Sequence, residues 1–196
     1  MDGMTTLFTA FGLASAAGFN AYVPLLAVGL IGRYTELLSL AEPFDVLTNP
    51  WVLAAIGVLA VVDFIADKIP AVDHGWHVVG LVVAPVAGAV LFASQHNVLT
   101  DVHPLLAVFA GLVIAGGFQG GRAAVRPLAT TATGGVMNPV LSFLEDFMAA
   151  GLALFAVFLP GVAVLLVLVL LAALVFVGVK AVQHLRGARE PRRDEP

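Results

Sequence analysis

Four carboxylates, Asp63, Asp67, Glu145 and Asp146, stand inside stretches that are otherwise almost free of charge. An ionised carboxylate at membrane depth costs several kcal/mol unless it is paired or hydrated, so such residues mark ion paths, proton relays or internal salt bridges. Asp63 and Asp67 are four apart and share one face of a helix. Asp63 lies 13 residues after Pro50 and Glu145 lies 15 residues before Pro160. At 1.5 Å per residue these offsets are about 20 Å and about 22 Å from one surface, so the two acids reach the same depth from antiparallel helices. Packed together, they can bind a cation or exchange protons. Lys68, Arg122 and Arg126 reach the same side, and with Asp73 they allow the plainer reading of a structural salt-bridge network.

Two further chemistries need weighing. Asp63, Asp67, Asp73, His77 and Glu145 offer hard and borderline ligands for a divalent cation. Asp-x-x-x-Asp is a common helical spacing, however, and Asp73-His74-x-x-His77 sits in no diagnostic metal motif, while His96 and His103 fall on the opposite side. Arg122 and Arg126, one turn apart, could grip a phosphate. The Thr- and Gly-rich stretch between Arg126 and Pro139 reads as a polar turn whose hydroxyls could cradle an anion. Asn20 and Gln119 add amides near the centre of the chain's two Gly-rich segments. There is no Gly-x-Ser-x-Gly, P-loop or zinc-protease motif.

The elements that carry these residues follow from composition. Of 196 residues, 60% are hydrophobic, 11% are charged and the mean hydropathy is +1.02. A soluble domain carries about a quarter charged residues. This excludes a disordered chain, a nucleic-acid binder and an ordinary cytosolic enzyme. The absence of cysteine excludes disulfides and thiolate chemistry. Apolar runs at about 5–31, 51–69, 77–95, 105–126, 139–158 and 161–183 predict an all-α membrane protein of about six transmembrane helices. The first run follows Asp2, has no preceding Lys or Arg and is long, so it reads as a retained helix rather than a signal peptide. Eight of the nine Lys and Arg residues then fall on the side of the termini and Arg33 alone on the other, which places both termini in the cytoplasm. Residues 186–196 read as a disordered, charged cytoplasmic tail whose arginines touch anionic lipid. The outer segment from Arg33 to Asn49, with Tyr34, Leu37, Leu38 and Phe44, reads as a surface-lying amphipathic stretch.

The chain also looks duplicated. Gly12-Leu13-x-x-Ala16-x-Gly18-Phe19-Asn20 matches Gly111-Leu112-x-x-Ala115-x-Gly117-Phe118-Gln119. Asn49-Pro50 and Pro70 bracket the second span as Asn138-Pro139 and Pro160 bracket the fifth, at prolines 20 and 21 residues apart. Three helices per repeat, 1–100 and 101–185, require opposite topologies, the pattern typical of secondary transporters. Span one carries Gly18, Asn20 and Pro24, and span four carries Gly116-Gly117-Phe118-Gln119-Gly120-Gly121. Both are therefore expected to be kinked or broken. The same glycines also form small-xxx-small stripes suited to close helix crossing.

Three segments carry a family resemblance: Ala17 to Leu25, Trp51 to Asp73 with its Phe64-Ile65-Ala66-Asp67-Lys68-Ile69-Pro70 core, and Asn138-Pro139 to Asp146. Together they resemble a family of small bacterial integral-membrane proteins catalogued as domain of unknown function 4126, over nearly the whole chain. The family tends to carry Trp-Asp and His-Thr after the acid that Asp73 matches, whereas His74-Gly75-Trp76-His77 stands here. The resemblance implies a six-helix protein of the bacterial inner membrane and no established chemistry.

The leading expectation is a small transporter or channel-like protein rather than an enzyme. Asp63, Asp67, Glu145 and Asp146 would bind a cation or exchange protons, Asn20 and Gln119 would line the crossing of spans one and four, and Arg122 and Arg126 would belong to the same site. Its expected partners are membrane lipid, a small solute or ion and further copies of the chain. One alternative is an enzyme acting on a lipid or polyprenyl phosphate through a divalent cation. Another is a structural or accessory subunit whose charges hold helices together.

Overall fold

The computed structural model describes residues 3–67, 70–95 and 103–187, apart from the side chains at 70–77, 128–129, 132, 181–182 and 184–187. Asp73, His74, His77, Lys68, His96 and the tail beyond 187 lie outside what it describes for side chains.

Among the described residues seven α-helices follow one another: α1 (Gly3–Ala17), α2 (Tyr22–Tyr34), α3 (Pro50–Ala66), α4 (Pro70–Ala93), α5 (Pro104–Thr133), α6 (Asn138–Phe158) and α7 (Pro160–Gly187). A short 3-10 turn, Phe44–Thr48, leads into α3. Among the described residues there is no strand, only a single bridge between Leu40 and Gln95. Proline opens most of these helices because its fixed φ suits a first turn whose N–H groups have no helical partner. Asn49 caps α3 by accepting from the Trp51 N–H at 2.9 Å. His103 caps α5 through its Nδ1, 3.3 Å from the Leu105 N. Gly134, at φ 61°, stops α5 in the left-handed region that glycine enters without steric cost.

The first predicted span is broken, as expected: α1 ends at Ala17 and α2 restarts at Tyr22. Pro24 does not cause the break. It sits in the first turn of α2, where its missing N–H costs little. The fourth span is not broken. Residues 116–121 lie within one continuous helix from Pro104 to Thr133. Two glycines of this helix, Gly111 and Gly121, serve close packing, whereas a Cβ on Gly117 or Gly120 would meet nothing within 4 Å. A Cβ on Gly111 would run into the Gly88 carbonyl and lie 2.7 Å from the Ala89 Cα, and one on Gly121 would run into Leu174. The polar turn expected after Arg126 is also helical as far as Thr133. Thr130 and Thr131 donate their hydroxyls to the Arg126 and Pro127 carbonyls, at 2.9 and 3.0 Å, so these two are not set out as an anion cradle.

Small residues make α1 the centre of the molecule. Ala10, Ala14, Ser15, Ala16 and Ala17 are fully buried, and α1 touches α4, α5, α6 and α7. A Cβ on Gly12 would lie 2.7 Å from the Ala156 Cβ. The helix α2 packs on α3 and α6, and α4 lies along α5. Between α2 and α3 Leu38 and Leu47 turn inward while Tyr34 and Leu37 stay exposed.

The outer faces are apolar: Val169, Val175 and Phe176 on α7 and Phe109 and Val113 on α5 are all exposed. That is the inverse of a soluble surface. Pro104–Pro127, Asn138–Phe158 and Pro160–Lys180 are long and apolar enough to cross a membrane. Gly3–Ala17, Tyr22–Tyr34, Pro50–Ala66 and Val78–Ala93 are apolar but shorter. The protein is an all-helical membrane protein by these criteria.

Candidate functional site

The break in the first span creates the site. Gly18 lets the chain turn against α5, since a Cβ there would meet Phe118 and lie 2.8 Å from the Ala115 carbonyl oxygen. Asn20, buried at 7% exposure, follows two residues later. Its Oδ1 accepts from the Tyr22 N at 2.9 Å and the Val23 N at 3.2 Å, which caps the new helix. That fixes the orientation of the amide. Its Nδ2 then faces two acids at once, donating to Asp63 Oδ2 and to Asp146 Oδ1, each at 2.8 Å. One side chain thus joins α3, α6 and the start of α2.

Consecutive residues on a helix point about 100° apart, so Glu145 and Asp146 serve different neighbours. Glu145 faces α5. Its Oε2 accepts from Arg122 Nη2 at 2.5 Å and from Arg126 Nη2 at 2.8 Å. Arg122 Nη1 also donates to Gln119 Oε1 at 3.0 Å and to the Phe19 carbonyl, which the helix break has set aside. Arg126 Nη2 lies 3.6 Å from Asp67 Oδ2, and the Ser142 hydroxyl donates to that same oxygen at 2.8 Å. Both guanidinium groups are largely buried. Charge-assisted bonds of this kind are about twice as strong as neutral ones.

Asn20, Asp63, Asp67, Gln119, Arg122, Arg126, Glu145 and Asp146 therefore form one array, whose two bonded groups are joined by the backbone from Phe19 to Asn20 and by a common chamber wall. It divides into two parts. Arg122, Arg126, Glu145 and Asp67 make an ion-paired half. Asp63 and Asp146 make a half that shares the Asn20 amide as a donor. Ser142 was missed from sequence, although it lies three residues before Glu145 and so near its face. The Phe19 carbonyl was also missed, since a backbone acceptor leaves no trace in residue type.

The divalent-cation set is not assembled by the described residues. Among them, no group of three or more His, Cys, Asp or Glu side chains could hold a metal ion. Asp63 turns to Asn20, while Glu145 is held by the two arginines. Asp73 and His77 fall outside the described side chains.

Two cavities adjoin the array. A polar chamber of about 30 Å³ is lined by Asn20, Tyr22, Asp63, Asp67, Gln119 and Arg122, among others. That is room for about one water-sized particle. A larger space of about 380 Å³ lies between α5, α6 and α7, with walls that are almost wholly apolar. Phe19 and Arg122 line both.

The family model described as Domain of unknown function (DUF4126) matches residues 7–180. The chain belongs to that family. In this DUF4126 chain the matched region takes in every residue of the array and all of α2 to α6. No curated protein and no solved structure matches it.

Proposed function

We propose that this DUF4126 protein is a small transporter or channel-like protein of the bacterial inner membrane that binds a proton or small cation at Asp63 and Asp146. The observation that carries the reading is the Asn20 amide, which bridges two acids from different helices at a helix break and beside a water-sized polar chamber. Irregular backbone at membrane depth is tolerated where it lines a cavity or is buried in protein, and transport sites are commonly built at such breaks.

The chemistry follows from the shared donor. Asn20 holds an ionised carboxylate more tightly than a protonated or cation-neutralised one. Loading either acid therefore loosens one of two bonds made by the residue that also caps α2. Occupancy is then felt at once by α2, α3 and α6. Gln119 and Arg122 close the chamber on the α5 side.

The proposed architecture has six crossings, with α1 and α2 together making the first. The two halves are inverted repeats, both termini are cytoplasmic, and copies of the chain associate. The repeat reading is supported by Phe19 and Phe118, matched positions of the two similar segments, whose rings meet with centroids 5.2 Å apart. It is also supported by the acids of α3 and α6, the corresponding helices, which arrive at the same amide.

A structural role fits the ion-paired half, where Glu145 accepts from two arginines. A metal-dependent enzyme acting on a lipid or polyprenyl phosphate is the weaker reading, because among the described residues Asp63, Asp67 and Glu145 do not converge into a metal-holding group.

The test is proton and cation flux in proteoliposomes. Asp63→Asn combined with Asp146→Asn abolishes flux while the protein keeps its elution profile and helical content. Unchanged flux in a folded double variant overturns the proposal.

A further inference from the structure

Two polar groups in the wall of the small chamber make no hydrogen bond among the described residues. They are the Tyr22 hydroxyl and Gln119 Nε2. Tyr22 is 8% exposed and Gln119 is 2% exposed, and both line the chamber. Buried polar groups are normally paired, by protein or by water. The chamber, about 30 Å³ in volume, has room for one water. A water accepts from such donors and still has two hydrogens to give. Asp63 and Asp67 line the same space. One helical turn apart, their Cβ atoms are separated by about 5–6 Å, a gap that a single water spans.

The same wall suits a metal cation poorly. A hard cation needs several oxygen ligands at once. Here Asp63 Oδ2 already accepts from Asn20, Asp67 Oδ2 from Ser142 and Gln119 Oε1 from Arg122. Asn20 Oδ1 accepts from two backbone N–H groups. From α5 the chamber receives the Gln119 amide nitrogen and the Arg122 guanidinium, and neither ligates a metal. A proton needs no ligand shell.

We propose that the ion of this site is the proton, and that one chamber water carries it between Asp63 and Asp67. The inference rests on the transport reading above and names its substrate. Protonated Asp63 gives its hydrogen to the water oxygen, and the water gives one of its own to the Asp67 carboxylate. One proton moves, the water is restored, and Asp63 regains the charge that the Asn20 amide holds. Around the two acids stand Asn20 and Tyr22 from the helix break, Asp146 and Ser142 from α6, and Arg122 and Arg126 from α5. The wall from α4 is uncharged, with Gly80 and Val83.

Proteoliposomes of the full chain, given either a pH gradient or a gradient of radioactive sodium, test the assignment. Infrared difference spectra of the carboxylic C=O stretch are taken on the same protein. The wild type moves protons in buffer free of sodium and potassium, and takes up no sodium. Asp67→Asn slows proton flux about a hundredfold, while the protonated-acid band that Asp63→Asn removes still forms on acidification. Gly80→Ala adds a methyl group to the chamber wall, 2.9 Å from Gln119 Nε2, and lowers flux with the band retained. Sodium uptake that is abolished by Asp63→Asn with Asp146→Asn preserves the transport reading and overturns the proton assignment. Undiminished proton flux in folded Asp67→Asn overturns the relay, as does loss of the Asp63 band in that variant. Absence of both fluxes in the reconstituted wild type overturns the transport reading and this inference with it.

Discussion

Asn20 and Asp146 are 126 residues apart in the chain, yet the Asn20 amide nitrogen donates to Asp146 Oδ1 at 2.8 Å. The same nitrogen donates to Asp63, and the amide oxygen caps α2. Asn20→Ala removes the cap and both donated bonds, and is expected to cost about 3 kcal/mol of stability. Asn20→Asp keeps a capping oxygen but sets a third carboxylate against the other two, so it is expected to melt lower than Asn20→Ala. Thermal unfolding in detergent ranks the two variants, and the reverse order contradicts the bridging geometry.

Arg122 and Glu145 form the tightest pair of the ion-paired half. Removing one partner leaves a largely buried charge, so Arg122→Met is expected to destabilise by about 3 kcal/mol. Arg122→Met with Glu145→Gln is expected to recover only a small part of that loss, because Arg126 still pairs with Glu145 in the single variant and loses that partner in the double one. A double-mutant cycle in denaturant reads the coupling. Purely additive effects would show that the pair contributes nothing beyond its separate side chains.

Glycines in this chain differ sharply in what surrounds them. Gly18→Ala pushes a methyl group into Phe118 and the Ala115 carbonyl, and is expected to cost about 2 kcal/mol. Gly178→Ala, in α7, meets nothing within 4 Å and is expected to stabilise by about 0.5–1 kcal/mol through helix propensity. Paired melting curves check the opposite signs.

The helices were readable from sequence because prolines and capping residues bracket them: Asn49-Pro50 opens α3 and Pro160 opens α7. The carboxylates were readable because charge at membrane depth is rare. The Asn20 amide reaches Asp63 and Asp146, and Arg122 and Arg126 reach Glu145, while Asp73 and His77 fall outside the described side chains. The fourth span is unbroken where a kink or break was expected together with close packing, because glycine lowers the cost both of bending and of close approach, and type alone does not say which is used. In span one the backbone turns to bring Asn20 to two acids. In span four Gly111 and Gly121 meet neighbouring helices directly, and nothing is gained by breaking hydrogen bonds. The stretch after Arg126 was misread because Pro127 and the threonines look like a turn, but Thr130 and Thr131 bond back onto carbonyls four residues earlier and stay helical.

Phe19 and Arg122 face the small chamber on one side and the larger apolar space on the other. A partition one side chain thick cannot be moved from one side alone. A change in how the larger space is filled therefore bears on the same two side chains that line the chamber beside Asn20 and Asp63.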